Sequence, residues 1–225
     1  SGVGAVMGSK KLKAIVVTAS RIKLYIILDE DALKAAYKRS MEILKANPVT
    51  GSGLRDLGTA VLVNIVNNIG CFPTNNWQGA YYPQGDDISG ETLKETYLVK
   101  NSACHRCPIG CGRVVDVNGR VTGGPEYEPL WAYGGNCGNN NLNAIDEANM
   151  WCNEYGLDAI STPCTIAAAM ELYEKGYIKE EECGGIPLKW GSVEAIVEWT
   201  RRMGDPNTEL EWLMSSGSAR LCEHY

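Results

Sequence analysis

The chain has 225 residues, with 21 Lys plus Arg against 27 Asp plus Glu and a formal net charge of −6. That length is enough for one large domain or two small ones around a buried core, and the acidic balance excludes the basic face that a nucleic-acid footprint needs. No apolar run reaches membrane-spanning length and no signal peptide is recognisable, so a cytoplasmic protein without membrane or nucleic-acid partners is expected.

In chain order, Gly2-Val3-Gly4-Ala5-Val6-Met7-Gly8 reads as a small-residue loop, and the short β-branched run Ala14 to Val17 as a buried strand. Glycine loops beside lysines can approach phosphate oxygens. The dinucleotide fingerprint, however, lies between a strand and a helix, so a structural turn is the reading for this order. Asp29 to Ala46 carries Leu33, Ala36, Tyr37, Met41 and Leu44 at helical spacing, and Asn47-Pro48 ends that helix. A second apolar helix is expected from Leu54 to Asn68, then a polar, irregular stretch from Gly70 until Ser89 caps a short helix. Asn118-Gly119 between β-formers signals a hairpin. Glu126 and Glu128 lie in the rigid segment Gly123 to Trp131, and Gly134 to Gly138 is a loop. A helix from Leu142 to Tyr155 stops at Gly156, and the next, capped by Thr162 with Pro163 at its first position, runs to Gly176. Helices over Ser192–Met203 and Thr208–Glu223 complete a mainly α, multihelical fold with a small β-hairpin.

Three segments carry chemistry. Cys104, Cys107 and Cys111 stand at C-x2-C-x3-C spacing with Pro108, Gly110 and Gly112 among them. That pattern aims thiolates inward from a tight turn, as iron–sulfur clusters require, and it is one cysteine short of the usual four. The alternative is a structural zinc knuckle completed by His105 or a distant cysteine, although zinc sites usually show a second ligand pair and none is present. The nine cysteines are an odd number in a chain too long for a disulfide scaffold, and most of the other six (Cys71, Cys137, Cys152, Cys164, Cys183, Cys222) are expected to be buried small side chains. In Asn153-Glu154-Tyr155-Gly156-Leu157-Asp158, Asp158 either caps the following helix or accepts hydrogen bonds from a ligand ring. Glu126 and Glu128 sit among Pro, Tyr, Leu and Trp, where a carboxylate is either desolvated for proton transfer or simply exposed.

Together these segments resemble the tungsten-dependent aldehyde:ferredoxin oxidoreductases and their relatives, including tungsten benzoyl-CoA reductase subunits. The segment Gly2 to Lys10 is similar to the family's pterin-contacting glycine loop, Ala103 to Arg113 to its cluster motif, and Asn153 to Thr162 to its D-x-x-G-L-D pterin motif. Pro73 to Trp77 and Gly124 to Glu128 also match, so the resemblance covers essentially the whole chain. It implies a tungsten (or molybdenum) bis-pterin and a 4Fe–4S cluster, with Cys104, Cys107 and Cys111 as three cluster ligands. Asn153, Leu157 and Asp158 would contact one pterin, and Ser1, Gly2, Val3 and Gly4 would lie near the cofactor phosphates. Glu128, with Glu126 as its rival, would stand beside the metal. Asn153 replaces the family's aspartate, which removes an acceptor charge but keeps hydrogen-bonding capacity. The implied activity is oxidation of a small aldehyde to a carboxylate with ferredoxin as electron acceptor, possible homodimerisation included. The alternatives are a benzoyl-CoA reductase-type subunit and a non-enzymatic zinc-binding helical module. The implied organisation is residues 1–20 as the last loop and strand of an N-terminal pterin-binding domain, and 21–225 as the helical middle domain. The sequence begins inside a motif without an initiator methionine, so a piece of a longer protein is expected, inactive alone because the fourth cluster cysteine and the second pterin motif lie elsewhere.

Overall fold

The structure, a computed structural model, describes residues 3–18 and 27–225 of the chain, and it separates into two compact units, Ser1–Ser52 and Gly53–Tyr225. In the first unit the expected glycine loop is instead a helix, α1 (Val3–Ser9), which ends where Lys11 turns left-handed at φ 56°. Gly4 and Gly8 cost this helix about 1 kcal/mol each relative to alanine, so local propensity does not account for it. The expected strand at Ala14 to Val17 does not form. Those residues have no regular structure and Ile15, Val16 and Val17 are 71–83% exposed, since no partner strand is present among the described residues of this unit to satisfy their backbone groups. Helix α2 (Glu30–Ala46) starts where Asp29 accepts a 2.8 Å bond from the Ala32 N–H, with Glu30 and Asp31 favourably placed in its first turn. Its apolar stripe packs into no core among the described residues of this unit, none of which is buried.

The second unit carries the core. The expected Leu54–Asn68 helix is divided into α3 (Leu54–Leu57), a 3-10 turn (Gly58–Val61) and α4 (Leu62–Asn68). The break falls at Gly58, whose φ of 66° disfavours any side chain and whose backbone lies close to the cysteine segment. After the irregular stretch from Gly70 comes α5 (Gly90–Thr96), capped by Ser89 as expected. The sheet has three antiparallel strands, β1 (Leu98–Ser102), β2 (Gly112–Val117) and β3 (Arg120–Gly123), in that order. The β2–β3 hairpin turns at Asn118 and Gly119, both at positive φ, with the Gly119 N–H held by Asp116. That is the geometry an Asn-Gly pair favours. Strand β1 adds to the expected hairpin; with only Leu98 and Val99 apolar it has no alternating pattern to announce it.

Helices α6 (Tyr127–Tyr133), α7 (Leu142–Tyr155), α8 (Ser161–Glu174), α9 (Val193–Gly204), α10 (Glu209–Ser215) and α11 (Ser218–His224) complete the fold. The 7-residue α6 begins within the segment that the sequence marks only as rigid. Helix α7 ends at Gly156 as its sequence dictates, in the left-handed conformation (φ 70°). Helix α8 begins one residue before the expected cap Thr162, because Asp158 supplies the side-chain acceptor instead. The single helix expected over Thr208–Glu223 is interrupted at Gly217 (φ 94°). There the Ser215 hydroxyl bonds back to the Met203 and Glu211 carbonyls and the Ser216 hydroxyl to that of Trp212, competing with helix propagation. Trp199 of α9 is fully buried and donates its indole N–H to the Ile186 carbonyl at 3.0 Å. Tyr133 of α6 bonds Cys152 of α7 and Thr200 of α9 through its hydroxyl, tying three helices together. No described helix is long and apolar enough to cross a membrane.

Candidate functional site

The cysteine loop is the excursion between β1 and β2, closed at its base by the Ser102–Gly112 pairing. Inside it Arg106 (φ 58°) and Gly110 (φ 66°) take left-handed conformations, and the Cys107 N–H bonds the Cys104 carbonyl at 3.0 Å. Cys104 is exposed; Cys107 and Cys111 are half-buried. The backbone N–H of Gly110, and next that of Ile109, stabilises the Cys107 thiolate and lowers its pKa. Amides aimed at sulfur favour the ligating form of the side chain.

Among the described residues no three His, Cys, Asp or Glu side chains gather tightly enough for a single ion. A tetrahedral zinc needs its sulfurs about 3.8 Å apart, at Zn–S distances near 2.3 Å. A 4Fe–4S cluster instead sets each thiolate against its own iron and spreads the sulfurs more widely. His105, the zinc reading's local fourth ligand, is exposed. Three accessible thiols on an amide-rich loop therefore fit three corners of a cluster better than a zinc knuckle. Of the other cysteines, Cys137, Cys152 and Cys183 are buried as expected and Cys164 is half-buried, whereas Cys71 and Cys222 are exposed.

The loop's downstream end opens onto a cavity of about 540 Å³. Gly112 and Arg113 of β2 line it immediately after Cys111, together with Gly123, Gly124, Glu126, Glu128, Asn149, Asn153 and Asp158. Three sequence segments thus meet at one concavity. The Gly124 backbone lies so close to β2 that an added Cβ would stand 2.8 Å from Val115 and 3.0 Å from Arg113.

Both candidate glutamates reach this cavity, and both are exposed rather than desolvated. The Glu128 Oε2 accepts from the indole N–H of Trp131, one turn along α6. Trp131 is 7% exposed and packs edge-to-face on Trp77 with ring centroids 5.7 Å apart. The Glu126 Oε2 accepts from the Thr59 hydroxyl, which itself accepts from the Tyr127 N–H at 2.9 Å.

The Asp158 Oδ2 accepts from the Ser161 N–H (2.8 Å) and hydroxyl (2.6 Å), and the hydroxyl bond above all, with the backbone bond, holds its carboxyl below the usual range. Capping α8 leaves lone pairs free, because a carboxylate has about four acceptor positions. Asn153 lies on α7 one turn beyond Asn149, whose amide reaches the Gly123 carbonyl at 3.3 Å. This wall of acceptors, carboxamides and glycine backbone suits a flat heterocycle that donates ring N–H groups, and the volume lies within the range of cofactor pockets. Leu157 is not in the lining; its N–H bonds the Cys152 carbonyl at 2.8 Å and its side chain packs on the core. Val3 and Gly4 belong to exposed α1 in the first unit, and Ser1 and Gly2 lie outside the described residues.

Sequence reasoning misses Arg113, Thr59, Asn149 and Trp131. Asn149 and Asn153 were detectable as two carboxamides four residues apart on one helix. Thr59 comes from a distant segment and carries no local signal.

A family model described as "Aldehyde ferredoxin oxidoreductase, domains 2 & 3" matches residues 35–225. The tungsten-containing aldehyde ferredoxin oxidoreductase of Thermococcus kodakarensis is 45% identical over 233 residues, and that of Pyrococcus furiosus 47% over 227; each alignment covers 100% of this chain and 37% of the relative. The chain therefore spans little more than a third of the curated relatives it matches. An aliphatic sulfonate oxidoreductase WOR-like subunit of Pyrococcus furiosus is 30% identical, over 88% of this chain and 32% of that protein. Among solved structures, the active-site complex BamBC of benzoyl coenzyme A reductase with 1,5-dienoyl-CoA shares the fold, with a TM-score of 0.77 at 21% identity over 99% of this chain and 35% of that one.

Proposed function

The chain belongs to the aldehyde ferredoxin oxidoreductase family, and on that premise we propose that it forms the cofactor-facing part of a tungsten-pterin, 4Fe–4S enzyme oxidising a small aldehyde to its carboxylate for ferredoxin. The observation that carries this reading is the single cavity where Asn153, Asp158, Glu126 and Glu128 meet the residues that follow Cys111. Cys104, Cys107 and Cys111 hold three irons of the cluster, and the fourth thiolate comes from another part of the full-length protein. Asp158 and Asn153 accept hydrogen bonds from one pterin, Leu157 acts from outside the cavity by anchoring the turn that presents Asp158, and Ser1, Gly2, Val3 and Gly4 lie near the pterin phosphates. Residues 1–20 then close an N-terminal pterin-binding domain and 21–225 form the middle domain. The protein is cytoplasmic and dimerises with a second copy.

When bound, the tungstopterin would supply the two-electron oxidation of the hydrated aldehyde and the cluster single-electron transfer, and forming the carboxylate from aldehyde and water releases three protons with the two electrons. Glu128 receives one of these protons. Trp131 holds Oε2 of Glu128, so the carboxylate that lines the cavity is oriented before substrate arrives. Glu126 is the weaker candidate, because the Thr59 hydroxyl that holds it can rotate whereas the packed Trp131 indole cannot. Gly124 lets its segment lie close against β2 beside the cavity, and Asp158, fixed by Ser161, gives a preorganised acceptor.

The test is anaerobic turnover of the full-length protein with a panel of aldehydes and with benzoyl-CoA, using ferredoxin as redox partner. Aldehyde-dependent ferredoxin reduction is the expected result. Turnover of the thioester alone would replace the aldehyde reading with the benzoyl-CoA one.

A further inference from the structure

Arg113 stands two residues beyond Cys111, at the junction of cysteine loop and cavity, and is 4% exposed. Its Nη1 donates to the Asn101 side-chain oxygen. Nη2 donates to the Leu54 carbonyl (2.8 Å) and the Arg55 carbonyl (3.0 Å), and more distantly to Gly110 of the cysteine loop (3.4 Å). Every one of these acceptors is neutral. The guanidinium Nε–H is buried without a partner beneath Gly58, where an added Cβ would come within 2.8 Å of it.

A buried cation without a counter-charge costs several kcal/mol, and proteins rarely leave one so. Arg113 takes part in none of the ion pairs among the described residues. The acidic groups bearing on it are Glu126, Cys111 and Asp56. Glu126 and Asp56 are exposed, and water screens them. The half-buried Cys111 is different, because as a cluster ligand it carries fixed negative charge.

We propose that Arg113 is the buried counter-cation of the Cys111 thiolate, and that it raises the reduction potential of the cluster that Cys111 helps to hold. The proposal rests on the cluster reading above. Reduction adds one electron and one unit of negative charge to the cluster, so a fixed positive charge in a low-dielectric setting stabilises the reduced form more than the oxidised one. The carbonyls of Leu54, Arg55 and Gly110 hold the guanidinium at the base of the loop, which makes Arg113 a positioning and tuning residue rather than a participant in the chemistry.

The experiment is a dithionite titration of the full-length protein followed by electron paramagnetic resonance, with iron and acid-labile sulfide measured in parallel. Arg113→Gln keeps a hydrogen-bond donor and removes the charge; Arg113→Lys keeps the charge. The expected result is a more negative potential in R113Q at unchanged iron and sulfide, with R113K remaining near the parent. Equal potentials in R113Q and the parent would overturn the proposal. So would loss of the cluster in both variants, which would make Arg113 a brace for the loop whatever its charge. A parent protein without iron and sulfide would instead remove the cluster reading, and this proposal with it.

Discussion

Asp146 is 1% exposed on α7, and neither carboxylate oxygen has a partner. Burial pushes its pKa up to about 8; that of Tyr97 is raised by its own burial first and by this carboxylate second. The folded protein thus holds this proton more tightly than the unfolded chain does. Its contribution to stability is fully present below about pH 4 and is lost as pH rises through about 8. The loss is at most about 6 kcal/mol, from the size of the shift. Asp146→Asn should flatten the decline in melting temperature between pH 5 and 9, and a parallel decline in parent and variant would contradict this assignment. At the cavity, Glu128→Gln in the full-length protein should lower kcat/KM by about 10²–10⁴-fold, the usual range for a positioned proton acceptor. Glu126→Gln should cost much less; the reverse ranking would transfer the role to Glu126. The sequence placed Glu126 and Glu128 beside each other but could not tell them apart. What distinguishes them is a Trp131 indole N–H on one and a Thr59 hydroxyl on the other, and the second contact joins residues 67 positions apart.

At the scale of elements, the break between α3 and α4 matters most for the site. Gly58 is at φ 66°, and an added Cβ would stand 2.7 Å from the Cys111 carbonyl. Gly58→Ala should therefore destabilise the protein by more than about 1 kcal/mol and lower the iron bound per chain. Full iron content with unchanged melting temperature would show that this approach does not shape the loop. Helices with strong local signals were legible: α2 by its apolar spacing and its end at Asn47-Pro48, α5 by its cap Ser89 and α7 by its stop at Gly156. The hairpin was legible through Asn118-Gly119. Elements decided by distant contacts were not. Gly58 divides a helix that apolar spacing alone would continue, and β1 exists because β2 offers it an edge. Asn75, Asn76 and Trp77 all adopt left-handed φ of 47–65°, a strained turn fixed by bonds to the Gly135 and Asn136 carbonyls and by Trp77 packing edge-to-face on Trp131. Nothing in an Asn-Asn-Trp triplet announces that conformation.

For the whole molecule, the gathering of three separated segments at one cavity is the feature on which function depends. Each motif was visible as a pattern: the cysteine spacing, the Asn153–Asp158 turn and the paired glutamates. Their meeting point was not, because it is set by the β1–β2 pairing and by α7 residues such as Asn149 reaching the hairpin. The chain spans only 37% of its aldehyde ferredoxin oxidoreductase relatives, and the proposed cluster takes a fourth thiolate from elsewhere. The 225 residues expressed alone should accordingly show no aldehyde oxidation, and full turnover by them would overturn the division of the site. The most direct test of the account is metal and acid-labile sulfide analysis of the anaerobically purified full-length protein, with Cys107→Ser beside it. About four irons with matching sulfide per chain, tungsten or molybdenum in addition, and loss of the iron signal in the variant are expected. Zinc without iron or sulfide, or a cluster indifferent to Cys107, would contradict it.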